Sequence, residues 1–328
     1  MNRVVASSIS CALAGMTGLL GALWLAPRVT AGPLSPPAGL VTSSYKTLQE
    51  VEPRIPVGPQ LTPVDGSCRY LINAPGSYYL TGNVDAIGTL PTIRIESDDV
   101  TLDLNGFAIR EPGPVASIND AIRVVLRNGK PANNVVIRNG IIANVSSAVD
   151  ADLASGVIED LVISNCLNYA IALRTNVADG TTPAIRVARC TLRNNGTVSG
   201  FGNNTGGIFV QSGALVTDCR IEDTIGIGIH LVNRSAATRN YVSGITPPAG
   251  FTASAAALYG DGCTLHDNVL IARDTGVRAV DIEGSNHHCF RNVFGGAFAA
   301  RGTNSILAPN VGLGTIATAT NPFANLSN

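Results

Sequence analysis

The sequence predicts an all-β fold, a single-stranded parallel β-helix of about nine coils between residues 65 and 312. Three observations predict it: short segments of alternating apolar residues, a pattern that recurs every 21 to 30 residues, and charges of alternating sign at one position of that pattern. The composition agrees with this fold. With 35 glycines and only 5% aromatic residues, the core must consist of Val, Ile, Leu and Ala between many turns.

The repeat is clearest where short strands break on a small polar residue or a cysteine. In "VVIRNGI" the break is Asn139-Gly140, a dipeptide that in isolation signals a hairpin. Residues three before and two after each break are apolar, so we expect both to point inward around a sharp bend. The aligned anchors are Asn139, Asp160, Cys190, Cys219, Asn240, Asn268 and Asn292, with Asn105 before them and Asn310 after them.

Charged residues just before the anchors give the strongest argument for stacked coils. Parallel strands in register bring equivalent residues to about 4.8 Å from each other, where opposite charges attract. The alternating signs therefore predict one file of charges along parallel coils rather than a set of hairpins. The file, with one extra residue in its first coil, is Asp103, Arg138, Glu159, Arg189, Asp218, Arg239, Asp267 and Arg291.

A further strand closes each coil and carries its own pair of inward apolar residues. The residues between and after each pair should point outward and form one continuous face. The predicted inward pairs are Ile122/Val124, Ile171/Leu173, Ile208/Val210, Ile229/Leu231, Ala256/Leu258, Val280/Ile282 and Phe298/Ala300.

Both ends of the chain depart from the repeat. Arg3, an apolar run and the small residues of "VTA" predict a secretory signal peptide over residues 1–31, with a retained membrane anchor as the alternative. Residues 32–64 form a Pro-rich leader with a candidate short helix at Ser44–Glu52, and act either as a flexible tether or as a cap. Residues 313–328 are a C-terminal tail. We therefore expect an exported protein, extracellular, on the cell surface or in the periplasm, that meets the membrane only during export.

Charge and cysteine content narrow the function classes. The chain has 22 basic and 23 acidic residues, whereas a nucleic-acid binder needs a basic surface, so we expect no nucleic-acid partner. Six cysteines remain after the signal peptide, and they are scattered without a CxxC pair, so we expect no zinc site and assign no residue as a metal ligand. Cys190 and Cys219 occupy matching anchors, which leaves apolar stacking and a cross-coil disulfide both open.

Three segments, "GSYYLTGNV", "DDVTLDLNGFAI" and "NNVVIRNGII", resemble the opening coils of bacterial repeat proteins in the pectin-lyase-like superfamily. The resemblance covers about Tyr70 to Gly312 and implies a right-handed parallel β-helix. The superfamily includes pectate lyases, polygalacturonases, alginate epimerases and phage-type depolymerases, as well as proteins without activity.

The catalytic motifs of that superfamily do not carry over to this chain. The Asn-Thr-Asp of polygalacturonases is absent, Asp98-Asp99 stands in a turn, and "GIHL" replaces Gly-His-Gly. The calcium and arginine signatures of pectate lyases are not matched either. Calcium stays open as a cofactor, because Asp261 in "YGDGC" is either a calcium ligand or part of a plain turn.

Outward positions of the closing strands form the candidate site. Phe209 and Tyr259 would stack on sugar rings, while arginines and Gln211 would bind polar or carboxylate groups. Asp281 and Glu283, about 6.5–7 Å apart on one strand, and His230 are the candidate catalytic residues. The alternative is an ordinary solvated sheet. The arginines are Arg123, Arg174 and Arg301.

Two functions follow from these residues. The first is a non-catalytic protein that binds polysaccharide. The alternative is a polysaccharide lyase or glycoside hydrolase that acts on uronic-acid-containing polymers.

Overall fold

The computed structural model describes residues 53–63, 66–113, 119–125, 130–174, 184–197, 205–272, 274, 276–301, 305–307 and 310–312. The predicted signal peptide, the candidate helix Ser44–Glu52 and the C-terminal tail lie outside these residues. Within them the chain folds, as predicted, into an all-β parallel β-helix whose strands form two long sheets. Asn139 does not close a hairpin, because the strand Val135–Ala143 runs through it and pairs in parallel with the coils on both sides.

The ten-stranded sheet receives one strand from each of ten coils in the described part of the chain, where the sequence predicted about nine. Its predicted inward residues align from coil to coil, and Ile171, Ile208 and Ile229 are all fully buried. Phe298 and Ala300 are more exposed because their strand has a described neighbour on one side only. The strands are Tyr70–Ile72, Ile93–Ile95, Asp120–Val124, Ser147–Ala151, Tyr169–Leu173, Gly206–Val210, Ile227–Val232, Ala253–Asp261, Val277–Ser285 and Ala297–Ala300.

The nineteen-stranded sheet holds the other strands of each coil, which meet at a bend. Two strands, Val135–Ala143 and Ser155–Ser164, run through the bend. Strands before the bend are Ile55–Pro56, Gly76–Tyr79, Val100–Asp103, Ala184–Ala188, Ala214–Thr217, Ala236–Thr238, Thr264–His266, His288–Phe290 and Ile306–Leu307. Strands after it are Val84–Asp85, Ala108–Arg110, Thr191–Arg193, Arg220–Glu222, Tyr241–Ser243, Val269–Ile271, Val293–Gly295 and Val311–Gly312.

The end of the predicted leader joins this sheet. Ile55 and Pro56 align with Tyr78 and Tyr79, and a 3-10 turn follows at Pro59–Leu61. Val57 is buried in the core, so this part of the leader extends the first coil of the β-helix.

The bend residue differs between early and late coils, which corrects the predicted alignment. Asn139 and Asp160 have positive φ, as expected of anchors, but in the next coil the positive-φ residue is Arg189 rather than Cys190. Glu159 consequently aligns with Ala188, one residue out of the predicted register. The later bend residues are likewise the charged ones, Asp218, Arg239, Asp267 and Arg291.

This one-residue slip explains why four apolar residues do not point inward as predicted. Ile141 and Val162 are 43% and 50% exposed, and Val136 and Val157 are partly exposed. In a strand, a shift of one residue moves a side chain to the opposite face. From Val187 onward the predicted inward positions are buried.

The residue after each bend points into the core, and in the last coils this position is asparagine. Asn240, Asn268, Asn292 and Asn310 stack as a buried ladder. Each of the first three donates from its backbone N–H and its Nδ2 to the Oδ1 of the next, at 2.9 to 3.0 Å. Their role is internal hydrogen bonding, and the sharp bends before the first three belong to Arg239, Asp267 and Arg291.

Opposite charges of the predicted file pair across the coils. Arg138 lies 3.4 Å from Asp103, Arg239 lies 2.7 Å from Asp218, and Arg291 lies 2.7 Å from Asp267. At the register slip, Arg189 reaches both Glu159 and Asp160, at 2.9 and 2.8 Å. The file therefore consists of ion pairs that join neighbouring coils, and it shifts by one residue in register at Arg189.

Candidate functional site

All nine predicted site residues lie on the outward side of the ten-stranded sheet. Strand register places Arg123, Asp150, Ala172, Phe209, His230, Ala257 and Asp281 at equivalent positions of seven successive strands. The position two residues later holds Arg174, Gln211, Tyr259, Glu283 and Arg301. One surface therefore carries them all, about 4.8 Å apart from coil to coil.

The middle of this surface is a row of four rings, which we call the aromatic ladder: Tyr169, Phe209, His230 and Tyr259. Tyr169 stacks on Phe209 with ring centroids 5.4 Å apart. Phe209 and Tyr259 meet the imidazole of His230 edge to face, at 5.0 and 4.9 Å. Such contacts hold the rings in fixed orientations.

Small side chains flank the two middle rings of the ladder. Ala172 and Ala257 occupy equivalent positions on either side of Phe209 and His230, and both are fully or almost fully buried beneath the neighbouring rings. Phe209, His230 and Tyr259 stay partly exposed. The result is a continuous apolar surface on which three of the four rings are partly exposed to solvent.

His230 is held neutral within the ladder. Burial lowers its pKa from 6.5 to about 4, because desolvation disfavours the imidazolium. The Tyr169 hydroxyl lies 2.9 Å from its Nδ1, in a hydrogen bond whose donor depends on the tautomer. Burial also raises the pKa of the phenols of Tyr169 and Tyr259. The whole ladder is therefore uncharged at neutral pH.

A cluster of charged residues adjoins the aromatic ladder on its N-terminal side. We call it the N-terminal charged end, and its members are Asp120, Arg123, Asp150, Asp152 and Arg174. Arg123 lies 3.0 Å from Asp120 and 3.3 Å from Asp150. Arg174 contacts Asp150 at 2.6 Å. Asp150 is thus buried between two guanidinium groups that are themselves about half exposed.

Burial and the proximity of other carboxylates shift the pKa of two aspartates at this end. The pKa of Asp120 and that of Asp152 are both raised, first by burial and second by the charge of Asp150. Arg123 opposes the shift at both residues, but does not cancel it. With three carboxylates and two guanidinium groups, the N-terminal charged end has a formal charge of −1.

The C-terminal charged end consists of Arg278, Asp281, Glu283 and Arg301. Arg278 and Arg301 contact Asp281 at 2.6 and 3.1 Å, and Arg301 lies 3.8 Å from Glu283. The Asp281 side chain is only 4% exposed, whereas that of Glu283 is 57% exposed. Two carboxylates and two guanidinium groups give this end a formal charge of zero.

This geometry favours binding roles over the predicted catalytic ones. Asp281 is enclosed by two arginines, and the hydrogen bonds from Arg278 and Arg301 occupy both of its carboxylate oxygens. Neutral His230 is engaged by Tyr169 and flanked by two rings. The catalytic roles of Asp281, Glu283 and His230 stay predictions.

Other polar residues singled out in the sequence have structural partners. Asp261, the last residue of its strand, accepts hydrogen bonds from Ser285 and Asn286 of the next coil. His287 is buried and accepts from the Cys263 backbone, while the adjacent His288 is exposed, as alternation along a strand requires. In the described part of the chain, no group of three or more His, Cys, Asp or Glu side chains could hold a metal ion. Nor do the described residues include a helix with the length and hydropathy to cross a membrane.

Five residues of this surface escaped the sequence analysis. Asp150 and Asp152 were missed because the strand Ser147–Ala151, which Asp152 follows directly, was not assigned, although Val149-Asp150-Ala151 alternates correctly. Asp120, Tyr169 and Arg278 lie three residues before Arg123, Ala172 and Asp281, where strict alternation predicts an inward side chain. A local irregularity turns them outward, as consecutive burial of Ala121 and Ile122 shows.

Comparisons with known proteins give one structural likeness. No protein-family model and no curated protein matches the chain. Among solved structures, it is similar to the crystal structure of the Dettilon tailspike protein, with 12% sequence identity and a TM-score of 0.42. The match covers 74% of this chain and 53% of the tailspike chain, so this chain spans about half the length of that protein. A likeness at this level carries no information about activity or ligand.

Proposed function

We propose that this protein is an exported parallel β-helix that binds polysaccharide along its ten-stranded sheet. The aromatic ladder carries the proposal. Its four rings follow the direction in which the coils stack, and three of them are partly exposed at their edges. An elongated apolar strip bordered by hydrogen-bonding groups suits an extended ligand that presents both apolar ring faces and hydroxyl groups.

The charged ends would contribute polar contacts to such a ligand. A guanidinium group has five N–H donors, and pairing with a carboxylate occupies only some of them. Arg174 and Arg301 are about half exposed, so each retains donors that face solvent. Gln211 lies in the same row as Arg174 and adds an amide that can both donate and accept.

The experiment is a binding measurement with one ring removed at a time. Phe209→Ala or Tyr259→Ala should weaken polysaccharide binding about tenfold or more, as expected when a stacking residue near the centre of a site is truncated. Tyr241→Ala is the matched control, because Tyr241 lies on the nineteen-stranded sheet and packs against Arg220. Equal losses from all three variants would contradict the assignment of the site to the ten-stranded sheet.

A second candidate function is a polysaccharide lyase or glycoside hydrolase at the C-terminal charged end. The observation that favours it is the paired carboxylates Asp281 and Glu283, two residues apart and beside two arginines. The test is incubation with uronic-acid polymers, with and without calcium, followed by detection of unsaturated product or reducing ends. Asp281→Asn should abolish any turnover, and unchanged turnover would remove Asp281 from the mechanism.

Export is part of the proposal and has its own test. If residues 1–31 are a cleaved signal peptide, protein recovered outside the cytoplasm should begin at Gly32. Recovery of the intact Met1 form from membranes would favour the retained anchor instead.

A further inference from the structure

We propose that the polysaccharide is neutral, rich in hydroxyl groups and without carboxylates or sulfates; this inference rests on the proposed function and specifies its ligand. It concerns the same surface, the aromatic ladder with its two charged ends. The argument is one of charge balance on that surface, and it departs from the expectation that the arginines bind uronic acids.

Every arginine at the two charged ends already has a carboxylate partner within the protein. Arg123 and Arg174 share Asp150, and Arg278 and Arg301 share Asp281. To bind a ligand carboxylate, a guanidinium group would have to give up part of this pairing. Because Asp150 and Asp281 are buried, weakening their ion pairs would leave a buried charge poorly compensated, which is costly.

The total charge of the surface also disfavours an anion. Five carboxylates, those of Asp120, Asp150, Asp152, Asp281 and Glu283, face four guanidinium groups, so the formal charge of the two ends together is −1. Glu283 is the most exposed of the five, with 57% of its side chain accessible to solvent. An acidic polymer along the sheet would meet this carboxylate directly.

Titration behaviour at the N-terminal charged end is consistent with an excess of negative charge there. Burial is the main cause that raises the pKa of both Asp120 and Asp152, and the charge of Asp150 adds to the shift against the opposing effect of Arg123. A site at which a carboxylate already disfavours the ionisation of its neighbours offers little to a further anion.

Neutral hydroxyl groups avoid these costs. The exposed N–H groups of Arg174 and Arg301 can donate to hydroxyl oxygens without leaving their carboxylates, and exposed Glu283 can accept from hydroxyl protons. The uncharged aromatic ladder between the two ends offers apolar faces for sugar rings. Paired charges beside aromatic rings thus form a surface that is strongly hydrogen-bonding and close to electrically neutral.

The test compares ligands that differ only in charge. Purified protein is titrated by calorimetry with uronic-acid oligosaccharides and with the same oligosaccharides after reduction of their carboxyl groups to alcohols, beside neutral gluco-, galacto- and manno-oligosaccharides. We expect the tightest ligand to be neutral, and any reduced oligosaccharide that binds to do so about tenfold or more tighter than its uronate parent. Neutral binding should change little between low and high salt.

Each outcome distinguishes the two proposals. If a uronate parent binds as tightly as its reduced form or more tightly, the inference is overturned, while the proposed function stands. If no oligosaccharide binds, the proposed function fails and the inference with it. Glu283→Gln gives a second readout, because removing the exposed charge should reduce the preference for neutral over uronate ligand. Glu222→Gln, the same change beside Arg193 and Arg220 on the nineteen-stranded sheet, should leave that preference unchanged.

Discussion

The two sheets of this β-helix use polar residues in different ways. On the nineteen-stranded sheet, exposed arginines and aspartates pair between coils, and asparagines hydrogen-bond in a buried ladder just inside the bend. On the ten-stranded sheet, carboxylates are buried beneath arginines whose outer N–H groups face solvent, beside a row of rings. The first arrangement buries its asparagine ladder within the fold, whereas the second places half-exposed arginines beside a row of partly exposed rings.

This difference separates polar residues that stabilise the stacked coils from polar residues that remain accessible to a ligand. Each coil repeats the same backbone, so any polar residue can either bind its equivalent in the next coil or remain available to a ligand. Changes to the nineteen-stranded sheet should therefore alter stability with little effect on ligand binding. Changes to the ten-stranded sheet should do the reverse, apart from residues such as His230 that are both buried and central to the site.

The largest expected effect is at the buried asparagine ladder. Asn268 donates from Nδ2 to the Ala237 and His266 carbonyls, and its Oδ1 accepts from Asn240. Asn268→Ala would leave several buried groups without partners, so we expect a loss of about 4 kcal/mol in the free energy of unfolding. Denaturant titration measures this loss, and ligand affinity at low denaturant should be unchanged.

Asn165→Ala is the control for this variant. Asn165, unlike Asn268, has positive φ, and it stands exposed directly after the strand Ser155–Ser164, where its Nδ2 donates to Asn144 Oδ1. We expect its replacement to cost about 1 kcal/mol, mainly from placing alanine in a left-handed conformation. If both variants lost the same stability, the buried ladder would have no special role.

The pH dependence of stability should reveal the burial of His230. The pKa of His230 is lowered from 6.5 to about 4 in the folded protein, so between these values the unfolded state takes up a proton that the folded state does not. Stability should therefore fall as the pH drops from about 6.5 to about 4, by up to about 3 kcal/mol, and stay constant above that window.

The measurement is the unfolding free energy of wild type and His230→Phe across this pH range. The variant keeps a ring but has no titrating group, so its decline with acid should be smaller than that of wild type. Asp120 and Asp152, whose folded pKa values are raised, stabilise the folded state as the pH falls in both proteins and cancel in the comparison. Parallel curves would mean that His230 is as well solvated in the folded protein as in the unfolded one.

Periodicity predicted most of the fold and much of the candidate site, and it failed for identifiable physical reasons. The anchors were misassigned from Cys190 onward because asparagine suits two positions, a left-handed bend and a buried ladder, whereas the actual bend residues include Arg189, which rarely adopts positive φ. Outward residues such as Phe209 and His230 followed from alternation. The outward position of Tyr169 could not be predicted in this way, because the alternation of inward and outward side chains is interrupted at the start of its strand.

The smallest expected effect concerns the exposed charges of the nineteen-stranded sheet. Arg189 contacts Glu159 and Asp160 of the preceding coil. The strand just before it, Ala184–Ala188, pairs with the strand of the following coil that precedes Asp218. Its guanidinium group lowers the pKa of Asp160 by hydrogen bonding. Because these pairs are exposed, each should contribute only about 0–1 kcal/mol.

Charge reversal isolates the electrostatic part of that contribution. Arg189→Glu and Arg189→Gln place side chains of nearly equal size at the same left-handed backbone position, so their backbone costs cancel. Arg189→Glu should be the less stable of the two by about 1 kcal/mol, since it adds a fourth carboxylate beside three. Adding Asp160→Arg to Arg189→Glu should recover part of the loss, and high salt should narrow the gap between the single variants. If both single variants unfolded at the same denaturant concentration in low salt, the alternation of sign that first indicated parallel coils would contribute nothing measurable to holding them together.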